Sequence, residues 1–136
     1  MAAKEAIEGR DRVLALLSTD ETLANAVGSV VEAPWRLEHR CYLDSLIDFL
    51  QLPDVRLVVV DDEAVIEGDR GWLVAQIRRH LEGATLLYVA ASHSAENERR
   101  ARSHGAHYYT SKPIETDDIA GVLKAFMELA DRSCSV

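Results

Sequence analysis

The sequence has little of several residue types that mark particular protein classes. Its 136 residues include two cysteines, three prolines and seven glycines, and aromatic residues make up 6% of them. Two cysteines cannot form a disulfide framework, and neither has the spacing to histidine of a zinc site. No apolar run approaches the roughly 20 residues that cross a bilayer, and the first ten residues lack the apolar centre of a signal peptide. These absences predict a cytoplasmic protein with no membrane partner.

Positive charge is also scarce. Lysine and arginine number 15 against 23 aspartates and glutamates, so the formal net charge is -8. Affinity for nucleic acid depends on clustered basic side chains that neutralise phosphates. The basic residues that do cluster, at 78–80 and 99–102, fall on predicted helices, where a solvated face is their common role. We therefore predict no nucleic-acid partner.

The rest of the composition is typical of one compact domain. Hydrophobic residues make up 48% of the chain and charged residues 28%, and the length suits a single core. We predict an N-terminal extension at 1–10, the domain at 11–131 and a C-terminal tail at 132–136.

Strand and helix patterns alternate along this domain. Short apolar runs at 13–17, 57–60 and 86–91 predict buried strands, and mixed runs at 36–42 and 106–110 predict edge strands. A weak helix is predicted at 94–104, where almost every residue is polar. Four further helices are predicted by apolar stripes with helical spacing: Leu23, Ala26, Val27, Val30 and Val31; Leu43, Leu46, Ile47 and Leu50; Leu73, Ile77 and Leu81; and Ile119, Val122, Leu123, Phe126, Met127 and Ala130.

This alternation predicts an α/β fold with a doubly wound parallel sheet. Functional side chains of such folds lie at the carboxyl ends of the strands. Three acids, Asp61, Asp62 and Glu63, follow the predicted third strand, and Lys112 follows the fifth. The pattern leaves two interpretations open: an anionic reaction site, or a structural ion pair in a polar loop.

Two segments resemble the response-regulator receiver domains. Residues 105–113 read GAHYYTSKP, which is similar to the fifth-strand signature of that family, and residues 56–61 read RLVVVD, similar to its third strand. The order of elements fits the family from about residue 12 to residue 130. The resemblance implies a flavodoxin-like (CheY-like) sheet in the order 2-1-3-4-5. It also implies a bacterial signalling module of two-component phosphorelays that binds proteins and is not an enzyme.

The resemblance assigns roles to particular residues. Asp61 takes the position of the phosphoacceptor, and Lys112 that of the cation that contacts the acyl phosphate. Pro113 takes the position of a cis proline, and Tyr109 that of the switch aromatic. A carboxylate nucleophile needs such a cation because negative charge develops on the phosphoryl group during transfer.

Other positions depart from the family. Its first strand ends in two acids that hold magnesium, whereas Ser18 and Thr19 stand there in this chain, and Ala90 replaces a serine or threonine that bonds the phosphoryl group. Hydroxyls are poor ligands for a hard dication. We therefore predict no cofactor and no metal site, with Mg²⁺ bound only if Asp20, Asp62 or Glu63 rebuilds the site.

These departures predict an atypical receiver domain in which Asp61 is phosphorylated weakly or not at all. Its predicted partners are a sensor kinase or a downstream signalling protein, together with a second copy through the face of helix 4, strand 5 and helix 5. One alternative is a small flavodoxin-like phosphate-ester hydrolase or cofactor-binding domain. Another is an interaction domain in which Asp61 and Lys112 are remnants.

Overall fold

The computed structural model describes residues 12–42 and 46–134. Within them, alternating strands and helices form one doubly wound α/β unit. The strands are β1 (Arg12–Leu17), β2 (Trp35–Arg40), β3 (Val55–Asp61), β4 (Thr85–Ala90) and β5 (Tyr108–Ser111). The helices are α1 (Glu21–Gly28), α2 (Leu46–Leu50), α3 (Arg70–His80), α4 (Ala95–His104) and α5 (Thr116–Cys134), and two short 3₁₀ turns (Asp62–Ala64 and Glu67–Asp69) lead into α3.

The five strands form a parallel sheet in the order β2-β1-β3-β4-β5. The predicted fold class and strand order are therefore confirmed. The two strands with mixed composition, β2 and β5, lie at the edges as predicted, and the three apolar strands lie in the centre. None of the described helices is long and apolar enough to cross a membrane.

Helices cover both faces of the sheet, which explains why the central strands are apolar at successive positions. Val58 and Val60 of β3 belong to a buried cluster completed by α2, α3 and α4, whereas Leu57 and Val59 face a cluster completed by α1 and α5. Successive side chains of a strand point to opposite faces, so one apolar strand contributes residues to both cores. This alternation also decides where the residues at the end of β3 point.

The predicted apolar stripe of the second helix is wrong at Ile47 and right at Leu50. Ile47 is 70% exposed, whereas Leu50 packs against the core on the α3 side of the sheet, and Phe49, which the stripe left out, is buried there. Leu43 lies outside the described residues. A helix of five residues has little more than one turn, so its orientation is set by the largest side chain that the core can accept.

Helix ends also differ from the predicted pattern. Helix α1 ends at Gly28, so Val30 and Val31 follow it in the loop. The predicted weak helix is present as α4, with the side chain of Ser94 capping its N-terminus. Helix α5 continues to Cys134 and so includes positions 132–134 of the predicted tail. The predicted extension at 1–10 lies outside the described residues.

The turn between α4 and β5 requires a glycine. Gly105 has a φ of 120°, and a Cβ atom there would lie 2.5 Å from Cγ of Arg78. Arg78 crosses this glycine and donates a hydrogen bond to the carbonyl of Ala84 at 3.1 Å. The absence of a Cβ at Gly105 thus leaves room for Arg78 of α3 to hydrogen-bond the loop before β4.

His107 extends the pairing between β4 and β5 beyond the strand. Its backbone N–H donates to the carbonyl of Leu86, and its Nδ1 accepts from the N–H of Leu86 at 2.9 Å. Only the neutral tautomer with a free Nδ1 can accept this bond. Partial burial, together with the charge of Arg78, lowers the pKa of His107 below the ordinary 6.5.

We predict that stability falls as the pH drops below about 6.5, because the unfolded chain then binds a proton that folded His107 resists. His107 is partly exposed to solvent, so screening keeps the loss below about 1 kcal/mol. His107→Asn keeps an acceptor and does not titrate, so it should reduce the difference in urea-unfolding free energy between about pH 7.5 and pH 5.5. An unchanged difference in this variant would contradict the prediction.

Candidate functional site

A buried carboxylate lies at the carboxyl edge of the sheet. Asp61, the last residue of β3, is 0% exposed. Its Oδ2 accepts a hydrogen bond from Oγ of Ser18 at 2.7 Å and from Nζ of Lys112 at 2.9 Å, and its Oδ1 accepts from the backbone N–H of Glu63 at 3.1 Å. Both oxygens therefore have partners from within the chain. The structure thus brings together Asp61 and Lys112, as the sequence predicts.

Lys112 serves three carboxylates at once. Besides Asp61, its Nζ lies 2.9 Å from Oδ2 of Asp20 and 2.7 Å from Oε1 of Glu63. An ammonium has three N–H donors, so these contacts match its full capacity. Partial burial disfavours the charged form, but the hydrogen bonds that Lys112 donates to Asp61, Glu63 and Asp20 outweigh it and raise the pKa of Lys112 above its ordinary value.

Asp20 reaches the site from the N-terminus of α1. Its Oδ1 accepts hydrogen bonds from the backbone N–H groups of Thr22 and Leu23 and so caps the helix, while its Oδ2 contacts Lys112. The hydrogen bond from Lys112, with those from the helix amides, lowers the pKa of Asp20. Because Asp20 caps α1, it lies three residues beyond the end of β1. Its carboxylate contacts Lys112 from the N-terminus of that helix.

Ser18 and Thr19, which replace the family's acid pair, separate in space. Ser18 is buried, donates to Asp61, and accepts from the backbone N–H of Asp20 at 3.0 Å. Thr19 is exposed. The serine thus adds a neutral donor where the family has a metal-binding carboxylate.

The residues present do not fit the magnesium ion that receiver domains use. Three carboxylates do converge, but the ammonium of Lys112 lies among them and takes an oxygen from each. Magnesium needs near-octahedral oxygen ligands at about 2.1 Å, and a lysine Nζ in contact with the same oxygens opposes it. Among the described residues, no group of acids, histidines or cysteines is arranged to hold a metal ion.

The other predicted site positions lie beside this cluster. Ala90 is buried at the end of β4, and its carbonyl accepts from the backbone N–H of Lys112 at 2.9 Å. It has no hydroxyl to offer. The peptide bond between Lys112 and Pro113 is cis, as the resemblance implies. Tyr109 is buried on the opposite side of the sheet from Lys112.

Asp62 points away from this cluster and does not join a metal site with Asp61. It is 2% exposed. Its Oδ1 accepts from the backbone N–H of Ala91 at 2.9 Å, and its Oδ2 accepts from the hydroxyl of Tyr88 at 3.2 Å and lies 3.8 Å from Nη1 of Arg70. The sequence reasoning missed Tyr88 and Arg70. Strand alternation could have found the tyrosine, because Val60, Asp62 and Tyr88 share one face of the sheet.

We predict that Lys112→Met lowers the free energy of unfolding by about 3 kcal/mol or more, because it leaves buried Asp61 without its cation. The loss should shrink at acid pH, where the carboxylates are protonated. Arg102→Met is the matched control, since its exposed pair with Glu98 contributes about 0.5 kcal/mol or less. Equal losses in urea unfolding for the two variants would show that Lys112 is not needed to neutralise the site.

Comparisons with known proteins agree on the architecture. No family model matches the sequence, and no curated protein matches it. Among solved structures, a response regulator from Thermotoga maritima has a TM-score of 0.74 and 17% identity, covering 87% of this chain and 98% of its own. A CheY-like response regulator receiver domain protein from Methanospirillum hungatei JF-1 has a TM-score of 0.73 and 16% identity, covering 90% and 98%.

A third similar structure belongs to a larger protein. It is the signal receiver domain of an HD domain-containing protein from Pseudomonas fluorescens Pf-5, with a TM-score of 0.73 and 17% identity, covering 90% of this chain and 98% of that one. The alignments cover nearly the whole length of each of the three structures. This chain therefore has the fold of the response-regulator receiver domains, the CheY-like fold.

Proposed function

We propose that this chain is an atypical receiver domain that signals by binding protein partners and is phosphorylated weakly or not at all at Asp61. The observation that carries the proposal is the closed hydrogen bonding of Asp61. Ser18, Lys112 and the N–H of Glu63 already occupy the carboxylate oxygens that a phosphodonor would have to engage. The shared fold and the receiver-like segments at 56–61 and 105–113 support the signalling role.

The charge of the site also opposes phosphorylation. Three carboxylates around one ammonium leave a net negative charge at the position that a phosphoryl group would have to approach. An attacking carboxylate needs preorganised donors and cations where charge develops, and losing one such contact costs about 3 kcal/mol of transition-state stabilisation. Here Ser18 and Thr19 replace the two acids that would hold a metal cation, and Ala90 replaces a hydroxyl donor, so the cation site and the donor are missing together.

The proposed partners are a sensor kinase or a downstream signalling protein, bound on the face made by α4, β5 and α5. Helix α4 is the most polar helix described, and it buries only Ala101. Its exposed side carries the ion pairs Glu96–Arg100 and Glu98–Arg102. Beside it, Tyr108 of β5 packs edge-on against Phe126 of α5 with ring centroids 6.0 Å apart. A charged helix next to an aromatic pair suits recognition of a protein surface, including a second copy of this chain.

The enzyme and cofactor alternatives have less support. A phosphate-ester hydrolase that used Asp61 and Glu63 would need one as nucleophile and the other as general acid, yet both contact Lys112. The loop at 18–22 has no glycine that would let backbone amides close around a phosphate. We therefore keep the binding module as the proposal.

We predict that the protein gains little or no mass when it is incubated with acetyl phosphate and Mg²⁺. Intact-mass spectrometry should show the same small or absent gain of phosphoryl mass for wild type and for Asp61→Asn. The physical reason is the occupied and negatively charged surroundings of Asp61.

A rescue variant is the positive control. Ser18→Asp, Thr19→Asp and Ala90→Thr together restore the carboxylates and the hydroxyl that the family uses, so this triple variant should gain more of the phosphoryl mass than wild type. Efficient, Asp61-dependent gain of one phosphoryl group by the wild-type chain would contradict the proposal.

We predict that the double charge reversal Arg99→Glu and Arg102→Glu weakens association with a second copy, because it changes the charge pattern of α4. Sedimentation equilibrium measures the effect. Glu21→Lys, at an exposed position of α1, is the control and should leave association unchanged. Loss of association in the α1 variant alone would show that the face is the wrong one.

A further inference from the structure

A second buried carboxylate follows directly after Asp61 and serves another part of the sheet edge. Asp62 is 2% exposed, and each of its neighbours is a donor: the N–H of Ala91, the hydroxyl of Tyr88 and the guanidinium of Arg70. Arg70 adds a second contact, since its Nε donates to the backbone carbonyl of Asp62 at 3.0 Å. Three elements therefore meet at one side chain: the end of β3, the start of α3 and the end of β4.

The bond to Ala91 fixes the segment that joins β4 to α4. Ala91 is the first residue after β4, and Ser94, three residues later, caps α4. Asp62 thus holds one end of this short connection while the Ser94 cap holds the other. The course of the connection and the position of the N-terminus of α4 follow from these two anchors.

The hydrogen bond that Tyr88 donates to Asp62 also restricts the position of Tyr109, because the two tyrosine rings are in contact. The two rings are stacked with centroids 5.9 Å apart and an interplanar angle of 8°, and His93 packs edge-on against Tyr109 at 5.9 Å. Burial and the charge of Asp62 raise the pKa of Tyr88, so its hydroxyl stays protonated and remains a donor. Tyr109 is thereby held inward, with 8% of its surface exposed.

We propose that Asp62 is the positioning residue that holds the connection 91–94 and the ring of Tyr109 in one conformation, independently of Asp61. This deepens the proposed function and rests on it, because a fixed connection and a fixed Tyr109 give partners a constant α4–β5 face without phosphorylation. The two carboxylates have separate roles, Asp61 toward α1 and Asp62 toward α4.

The hydrogen bonds to Asp62 are strong because their acceptor is charged and buried. A hydrogen bond to a charged acceptor is stronger than one between neutral groups, and its energy rises in a buried environment. A buried donor that loses its acceptor bears its full desolvation cost. Removing Asp62 would leave the buried hydroxyl of Tyr88 without this acceptor and would release the N–H of Ala91, so the connection would lose one of its two anchors.

Hydrogen exchange measured by NMR tests the proposal directly. In Asp62→Ala the amide of Ala91 should exchange about tenfold faster or more, given the strength of bonds to charged acceptors, and the ring signals of Tyr109 and His93 should shift. Asp62→Asn keeps one acceptor oxygen and should give an intermediate rate. Asp61→Ala and Asp61→Asn are the matched controls and should leave Ala91 and Tyr109 unchanged. The amide of Val58, in the centre of β3, reports whether each variant is folded.

The outcomes separate this inference from the proposed function. Unchanged exchange at Ala91 in a folded Asp62 variant, or an equal change in the Asp61 controls, would overturn it. If Asp62→Ala does not fold, the comparison of Asp62→Asn with Asp61→Asn decides. Efficient phosphorylation of Asp61 would overturn the proposed function, whereas the exchange rates of Ala91 would still show whether Asp62 holds the connection.

Discussion

The buried carboxylate of Asp61 has to be neutralised, and the contact with Lys112 that does so organises the whole carboxyl edge of the sheet. Through it the end of β3 is tied to the end of β5, and through Asp20 the same ammonium is tied to the first turn of α1. Ser18 adds the end of β1. A buried ion pair contributes little net stability compared with apolar packing, yet removing one partner is costly. The edge is therefore fixed by a contact whose loss the fold cannot easily compensate.

The same contact limits the chemistry of the site. A lysine that is shared by three carboxylates is not free to stabilise incoming negative charge, and a carboxylate that accepts from Ser18 and Lys112 is a weaker nucleophile than a free one. In the proposed function, the residues that resemble a phosphorylation site therefore serve the structure, and the domain presents the same binding surface whether or not a phosphodonor is present.

Two consecutive acids take different roles because a strand turns successive side chains to opposite faces. Asp61 lies on the side of α1 and α5 with Lys112, whereas Asp62 lies on the side of α3 and α4 with Tyr88 and Tyr109. Each carboxylate joins the end of β3 to a different loop. Together they connect both halves of the sheet edge to the end of β3.

Local pattern in the sequence determined the fold: period-two and period-3.6 apolar spacing predicted the strands and most helices, and the order of elements placed Asp61 and Lys112 at one edge. The resemblance to receiver domains, and not the apolar spacing, indicated that Ser18, Thr19 and Ala90 depart from that family. The pattern failed at α2, where packing of Phe49 into the core decided the orientation and left Ile47 exposed. Only the tertiary structure showed that Lys112 contacts Asp20 and Glu63 as well as Asp61, and that Asp62 binds Tyr88, Ala91 and Arg70. These contacts join residues far apart in the chain, and their geometry depends on how the loops close over the sheet, which no local spacing encodes.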